Sequence, residues 1–183
     1  MTRELVLRAQ GGDHQAFERL AAANARRLHG VATLIVRDPD AARDAVQDTL
    51  IEVWRSLPTL RDPEAFEGWL QRILVRACHK AVQARVRRTV EVQGLEIDAP
   101  IPSGEGLVDD RDELERAFRR LTVEQRTVLV LHHHLQLPLA ESAAILGIPV
   151  GTMKSRLNRA TDALRAAMAA DERETLAMGG RTA

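Results

Sequence analysis

Lys154, Ser155, Asn158, Arg159 and Asp162 follow Gly151 at spacings of three and four residues, in a stretch, GIPVGTMKSRLNRATDALR, where Lys154, Arg156, Arg159 and Arg165 face a single acid. At about 100° per residue these positions share one side of a helix, and Met153, Leu157, Ala160 and Leu164 line the opposite, core-facing side. Arginine and lysine donate to a guanine edge or a phosphate, and serine and asparagine reach bases or backbone, so the polar side suits the major groove of DNA. Arg156 falls at the flank, where phosphate is the expected target. A solvated charged face is the plain alternative. What comes before the helix argues against it: a short helical stretch (Leu139, Ala140, Ala143, Ala144, Leu146) and a Gly147-Ile148-Pro149 break give the order and lengths of a helix-turn-helix.

Two further charged surfaces lie upstream. Asp44, Asp48 and Glu52 recur every four residues with Gln47 beside them, an acidic face expected to point away from an apolar stripe of Val46, Leu50, Val53, Trp54 and Leu57. Trp54 is expected to be core packing. Between Gly68 and Val90 there is no acid, and Arg72, Arg76 and Lys80 form a basic ridge that continues into Arg85, Arg87 and Arg88. Such a ridge tracks phosphates with a salt-dependent affinity.

The elements that must carry these faces are helices. Apolar periodicity predicts a helix from an Asp13 cap through Phe17, Leu20, Leu28 and Val31 to Val36, and a second from Asp38-Pro39 to Pro58. A third is expected from Asp62-Pro63, burying Phe66, Leu70, Ile73 and Ala77. The stretch from Glu91 to Glu113 holds eight acids, one arginine, two prolines and three glycines without a stripe, and reads as a linker. Helical signal resumes with Leu114, Phe118 and Leu121, and then at a T-x-x-Q capping box, Thr122 and Gln125, ahead of Val128, Leu129 and Leu131. The fold class read from this pattern is all-α, two small helical domains on a flexible acidic tether. The expected limits are 10–90, a linker over 91–111, a second domain over 112–169 and a tail over 170–183.

Composition fits this reading. The chain has 183 residues, 45% of them hydrophobic, and a formal net charge of zero, so any polyanion contact must come from segregated charge. The lone Cys78 is expected to be a small buried side chain. No apolar run reaches the roughly 18 to 20 residues of a membrane span, and MTRELVLRAQGGD lacks the apolar core of a secretory signal, so no membrane insertion and a cytoplasmic location are expected. His132, His133 and His134 point about 100° apart on a helix and do not share a face, so no metal site is expected there. No phosphate loop or nucleophile arrangement points to an enzyme, and no cofactor is expected.

Both halves carry a resemblance. LERAFRRLTVEQRTVLVLHHHLQLPLAESAAILGIPVGTMKSRLNRATDALR resembles region 4 of the sigma-70 family of bacterial RNA polymerase initiation factors, and DAARDAVQDTLIEVWRSLPTLRDPEAFEGWLQRIL resembles region 2, including Asp44, Gln47, Asp48, Trp54 and the Trp69-Leu70 pair. Regions 2 and 4 on a short linker are the layout of the extracytoplasmic-function group. The resemblance implies that Asp44, Gln47, Asp48 and Glu52 meet the beta-prime clamp helices of core RNA polymerase, and that region 4 meets its beta flap. It implies that Leu60, Arg61 and Asp62, in the loop before the third helix, and Arg72, Arg76 and Lys80 open and hold the minus-10 element of promoter DNA. Thr152, Lys154, Ser155, Arg156, Asn158 and Arg159 would read the minus-35 element, and an anti-sigma factor would be a further partner. The linker is either a solvated spacer or an occupant of the RNA path.

There are departures from the pattern. Where many relatives have Asn and Asp in W-L-x-x-I-A-x-N-x-x-x-D, this chain has Arg76 and Lys80, and it has no tyrosine. Base preference at minus-10 is therefore not inherited. Two other readings stay open: a sigma-like mimic that binds an anti-sigma factor without reading DNA, and a helix-turn-helix repressor. The first would be expected to lose the basic faces, and the second would leave the acidic face unexplained.

Overall fold

The structure, a computed structural model, describes the backbone of residues 2–93 and 110–179 and the side chains of 2–87 and 113–170. Among the described residues all regular structure is helical: α1 (Thr2–Gln10), α2 (His14–Val36), α3 (Pro39–Ser56), α4 (Phe66–Gln93), α5 (Asp110–Arg119), α6 (Val123–Leu129), α7 (Leu139–Leu146) and α8 (Val150–Gly179). Residues 94–109 of the expected linker, and 180–183 of the tail, lie outside the described residues. The chain forms two compact units, one from α1 to α4 and the other from α5, α6, most of α7 and α8.

The caps that the sequence signals are in place. Asp13 accepts from Ala16 N at 3.0 Å and Asp38 accepts from Ala41 N at 2.8 Å, each satisfying an orphan donor of a first helical turn. Thr122 and Gln125 close both bonds of their box, at 3.2 and 2.9 Å. In the first unit α2 packs on α1, α3 and α4, and α3 packs on α4. Its core includes Val6, Leu28, Ile35, Val53, Leu70 and Leu74, and Cys78 is fully buried. Burial pushes the Cys78 thiol up to about 12, because a thiolate there would lose its hydration. In the second unit α8 packs on α5 and α6 over Leu121, Val128, Leu131, Met153 and Ala160. The buried Arg126 turns inward and donates from Nη1 to the Leu121 carbonyl at 2.6 Å.

Several expectations change. Residues 2–10 form α1, although no helix was expected ahead of Asp13; Arg8 bonds Asp13 Oδ2 at 2.9 and 2.7 Å and fastens it to the start of α2. Asp62-Pro63 opens only a single 3-10 turn, Pro63–Ala65, and α4 begins at Phe66. Leu114 is exposed rather than core, and Ala117 is buried in its place. Most consequential is α3, whose buried face is Ala42, Ala45, Thr49 and Val53, while Val46, Leu50 and Trp54 are only half-buried. The apolar arc of α3 is wider than the face its neighbours cover, and small residues take the close contacts.

Candidate nucleic-acid and protein interfaces

The turn between α7 and α8 is a Schellman motif. Ile148 N reaches Ala143 O at 3.1 Å and Gly147 N reaches Ala144 O at 3.3 Å, with Gly147 at φ +67, a conformation that favours glycine. Pro149 follows, and its carbonyl takes Met153 N at 3.0 Å to start α8. From there Met153, Leu157 and Ala160 are buried, Leu164 is half-buried, and Gly151, Lys154, Ser155, Asn158, Arg159 and Asp162 are all exposed on the other side.

The exposed side has some internal order. Ser155 Oγ donates to Thr152 O at 3.0 Å, and Arg159 lies back along the helix with Nε 3.2 Å from Ser155 O. Arg156, expected to aim at phosphate, lies 3.9 Å from Glu124 of α6. The pair is partly exposed, so a phosphate can displace it at small cost.

On the first unit, Asp44, Gln47, Asp48 and Glu52 are all exposed, as a face offered to a partner must be. The basic ridge is not a separate surface: Lys80 of α4 lies 3.3 Å from Asp48 of α3, so the acidic face and the ridge meet edge to edge. Arg76 is exposed and Arg72 half-buried. Arg85, read as part of the basic continuation, is joined to the Asp38 cap and ties α4 to the start of α3. In the loop, Leu60 is half-buried, Arg61 and Asp62 are exposed, and Asp62 Oδ1 accepts from Glu64 N at 3.0 Å.

Beside the acidic face runs an open groove of about 660 Å³ whose lining includes Phe17, Val46, Leu50, Ile51 and Trp54 together with Arg43 and Arg55. The Trp54 ring packs against both His14 and Phe17 of α2, with ring centroids 4.6 and 4.9 Å away. Periodicity predicts Phe17 and Trp54 as core, but both are only half-buried. The exposed Ile51, one residue from the stripe, is the signal that the apolar arc runs past it. The histidine run lies in a π-helical turn, Val130–His134, where His132 Nδ1 is 2.9 Å from Leu137 O.

Comparison with known proteins agrees with both halves. Residues 20–88 match the Sigma-70 region 2 family and residues 111–164 match the Sigma-70, region 4 family. The chain is 33% identical to the ECF RNA polymerase sigma factor SigM of Mycobacterium tuberculosis, over 86% of this chain and 79% of the relative. It is 32% identical to the ECF RNA polymerase sigma-E factor of Escherichia coli, over 87% and 90%. Among solved structures, the sigma factor RpoE of Bartonella quintana, crystallised with the anti-sigma factor NepR, aligns with a TM-score of 0.68 and 26% identity over 85% of this chain and 98% of that one. Two sigma region matches in order, and relatives of this identity over most of their length, place the chain in the extracytoplasmic-function group of the sigma-70 family, factors that direct transcription initiation.

Proposed function

We propose that this sigma factor holds core RNA polymerase through α3, opens the minus-10 element with the 58–62 loop and the α4 ridge, and reads the minus-35 element with α8. The carrying observation is the division of α8: Met153, Leu157 and Ala160 are buried while Lys154, Ser155, Asn158 and Arg159 stand exposed after a tight Gly147 turn. Residues 10–90 and 112–169 are the functional regions in this reading, with 91–111 as tether and 170–183 as tail. The cytoplasm, where polymerase and promoter meet, is its place of action, and it acts as a specificity factor without catalysis of its own. No helix among the described residues is long and apolar enough to cross a membrane.

The polymerase site is broader than the acidic row. Asp44, Asp48 and Glu52 offer carboxylates to clamp-helix arginines, and the adjoining groove gives Val46, Leu50 and Trp54 an apolar surface to cover. An anti-sigma factor is a further partner in this reading, as RpoE of Bartonella quintana was crystallised with one.

The test is transcription by core polymerase from randomised promoters with and without the purified protein. Paired motifs at minus-35 and minus-10 spacing are expected. Lys154→Ala or Arg159→Ala should weaken selection at minus-35 alone, by about 1–3 kcal/mol for a base contact. Core binding without DNA selection would replace this reading with that of a mimic. Absence of core binding would point instead to a repressor.

A further inference from the structure

Gln10, the last residue of α1, reaches the loop between α3 and α4. Its side-chain Nε2 donates to the Leu57 carbonyl at 3.0 Å and to the Leu60 carbonyl at 2.7 Å. A primary amide carries two N–H bonds on one nitrogen, so a single half-buried side chain can serve both acceptors. Leu60 N also returns to Leu57 O at 3.1 Å, so the Leu57 oxygen takes two bonds and the Leu57-to-Leu60 turn is fixed from inside and outside. Leu57 itself is fully buried. Leu60 and Asp62 have extended backbone on either side of a bend at Arg61, and Arg61 and Asp62 are both exposed.

A second tie from α1 lands further along: Arg3 Nε is 3.2 Å from Glu64 Oε1, but both side chains are mostly exposed, so this ion pair holds little. The Gln10 bonds are the firmer restraint. They also set the two carbonyls that bracket the turn within reach of one atom, which defines its curvature.

The geometry points to Gln10 as a positioning residue for minus-10 recognition: it holds Leu60, Arg61 and Asp62 in the shape that meets the DNA strand. The inference rests on the reading of the 58–62 loop given above. A loop ordered before its ligand arrives spends less of the contact energy on ordering, and its selectivity depends on contacts held in fixed positions. Without Gln10 the buried Leu57 carbonyl still accepts from Leu60 N and the carbonyl of the half-buried Leu60 can turn to water, so the fold survives while the loop gains alternative shapes. The signature is lost base discrimination with little lost stability.

The experiment uses polymerase holoenzyme made with the full chain and single-stranded non-template oligonucleotides. These carry the minus-10 sequence that the wild-type protein selects, or single-base variants of it. Gln10→Ala and the isosteric Gln10→Glu, which cannot donate, are expected to cut discrimination roughly three- to tenfold, the net worth of about one hydrogen bond. Affinity for core polymerase and selection at minus-35 should be unchanged, Gln10→Asn should restore part of the effect, and Arg3→Ala should leave discrimination intact. Discrimination within about twofold of wild type in both Gln10 variants would overturn the inference. So would a parallel fall in core affinity, which would mark a general loss of structure. A wild-type holoenzyme with no preference among the oligonucleotides would overturn the loop reading itself, and is told apart because the failure appears before any substitution.

Discussion

Asp13 combines two roles at the junction of α1 and α2. It caps Ala16 N and takes two bonds from Arg8, and these hold its carboxyl below the usual carboxylate range, the backbone bond contributing most. A lowered folded pKa means that stability from this group is complete above the unfolded value and is lost as pH falls through the folded one. Denaturation midpoints of the wild type and Asp13→Asn should therefore converge as pH falls through the acid range and separate near neutrality. Cys78 supplies a second residue-scale prediction. With its thiol pushed up to about 12 and no surface exposed, it should resist thiol reagents in the native protein and react only after unfolding. Thr122→Ala, which opens the box at the start of α6, should destabilise the second unit by about 1 kcal/mol, read from its urea midpoint.

At the scale of elements, two contrasts separate packing from presentation. Gly147 has open space around its Cα but a positive φ, so Gly147→Ala should cost about 1–2 kcal/mol from backbone strain alone and loosen the seat of α8. Minus-35 selection should weaken with it. On the first unit, Leu28→Ala removes a fully buried side chain and should destabilise by about 2–5 kcal/mol, whereas Trp54→Ala, at a half-buried groove position, should leave most stability in place. In the proposed polymerase site the order reverses: Trp54→Ala should lower core affinity in a binding titration more than Leu28→Ala does in the folded fraction.

At the scale of the whole molecule, zero net charge is resolved into acidic and basic surfaces, and within the first unit two of them meet at the Asp48–Lys80 pair. With side chains 55% and 78% exposed, a double-mutant cycle in the free protein should return a coupling below about 1 kcal/mol. The same charges should count for more when polymerase and DNA exclude water. Promoter binding by the holoenzyme should weaken with salt, and removing a phosphate-contacting lysine or arginine should lower that slope by roughly one.

What the sequence determined by itself was local and periodic. The Asp13, Asp38 and Thr122 caps, the Gly147 turn, and the two-sided character of α8 follow from residue type and spacing, because helix ends and faces are set within one or two turns. Paired motifs in order were enough to indicate the family. Tertiary structure decided what periodicity cannot: which part of a wide apolar arc is covered. Val46, Leu50 and Trp54 look like core on a helical wheel, and only the packing of α2 and α4 against Ala42, Ala45, Thr49 and Val53 leaves them lining a groove. The links between distant residues, Asp48 with Lys80, Arg85 with Asp38, and Gln10 with the Leu57 and Leu60 carbonyls, were equally hidden. Each joins residues more than thirty positions apart, and no local pattern encodes a contact that exists only once helices pack.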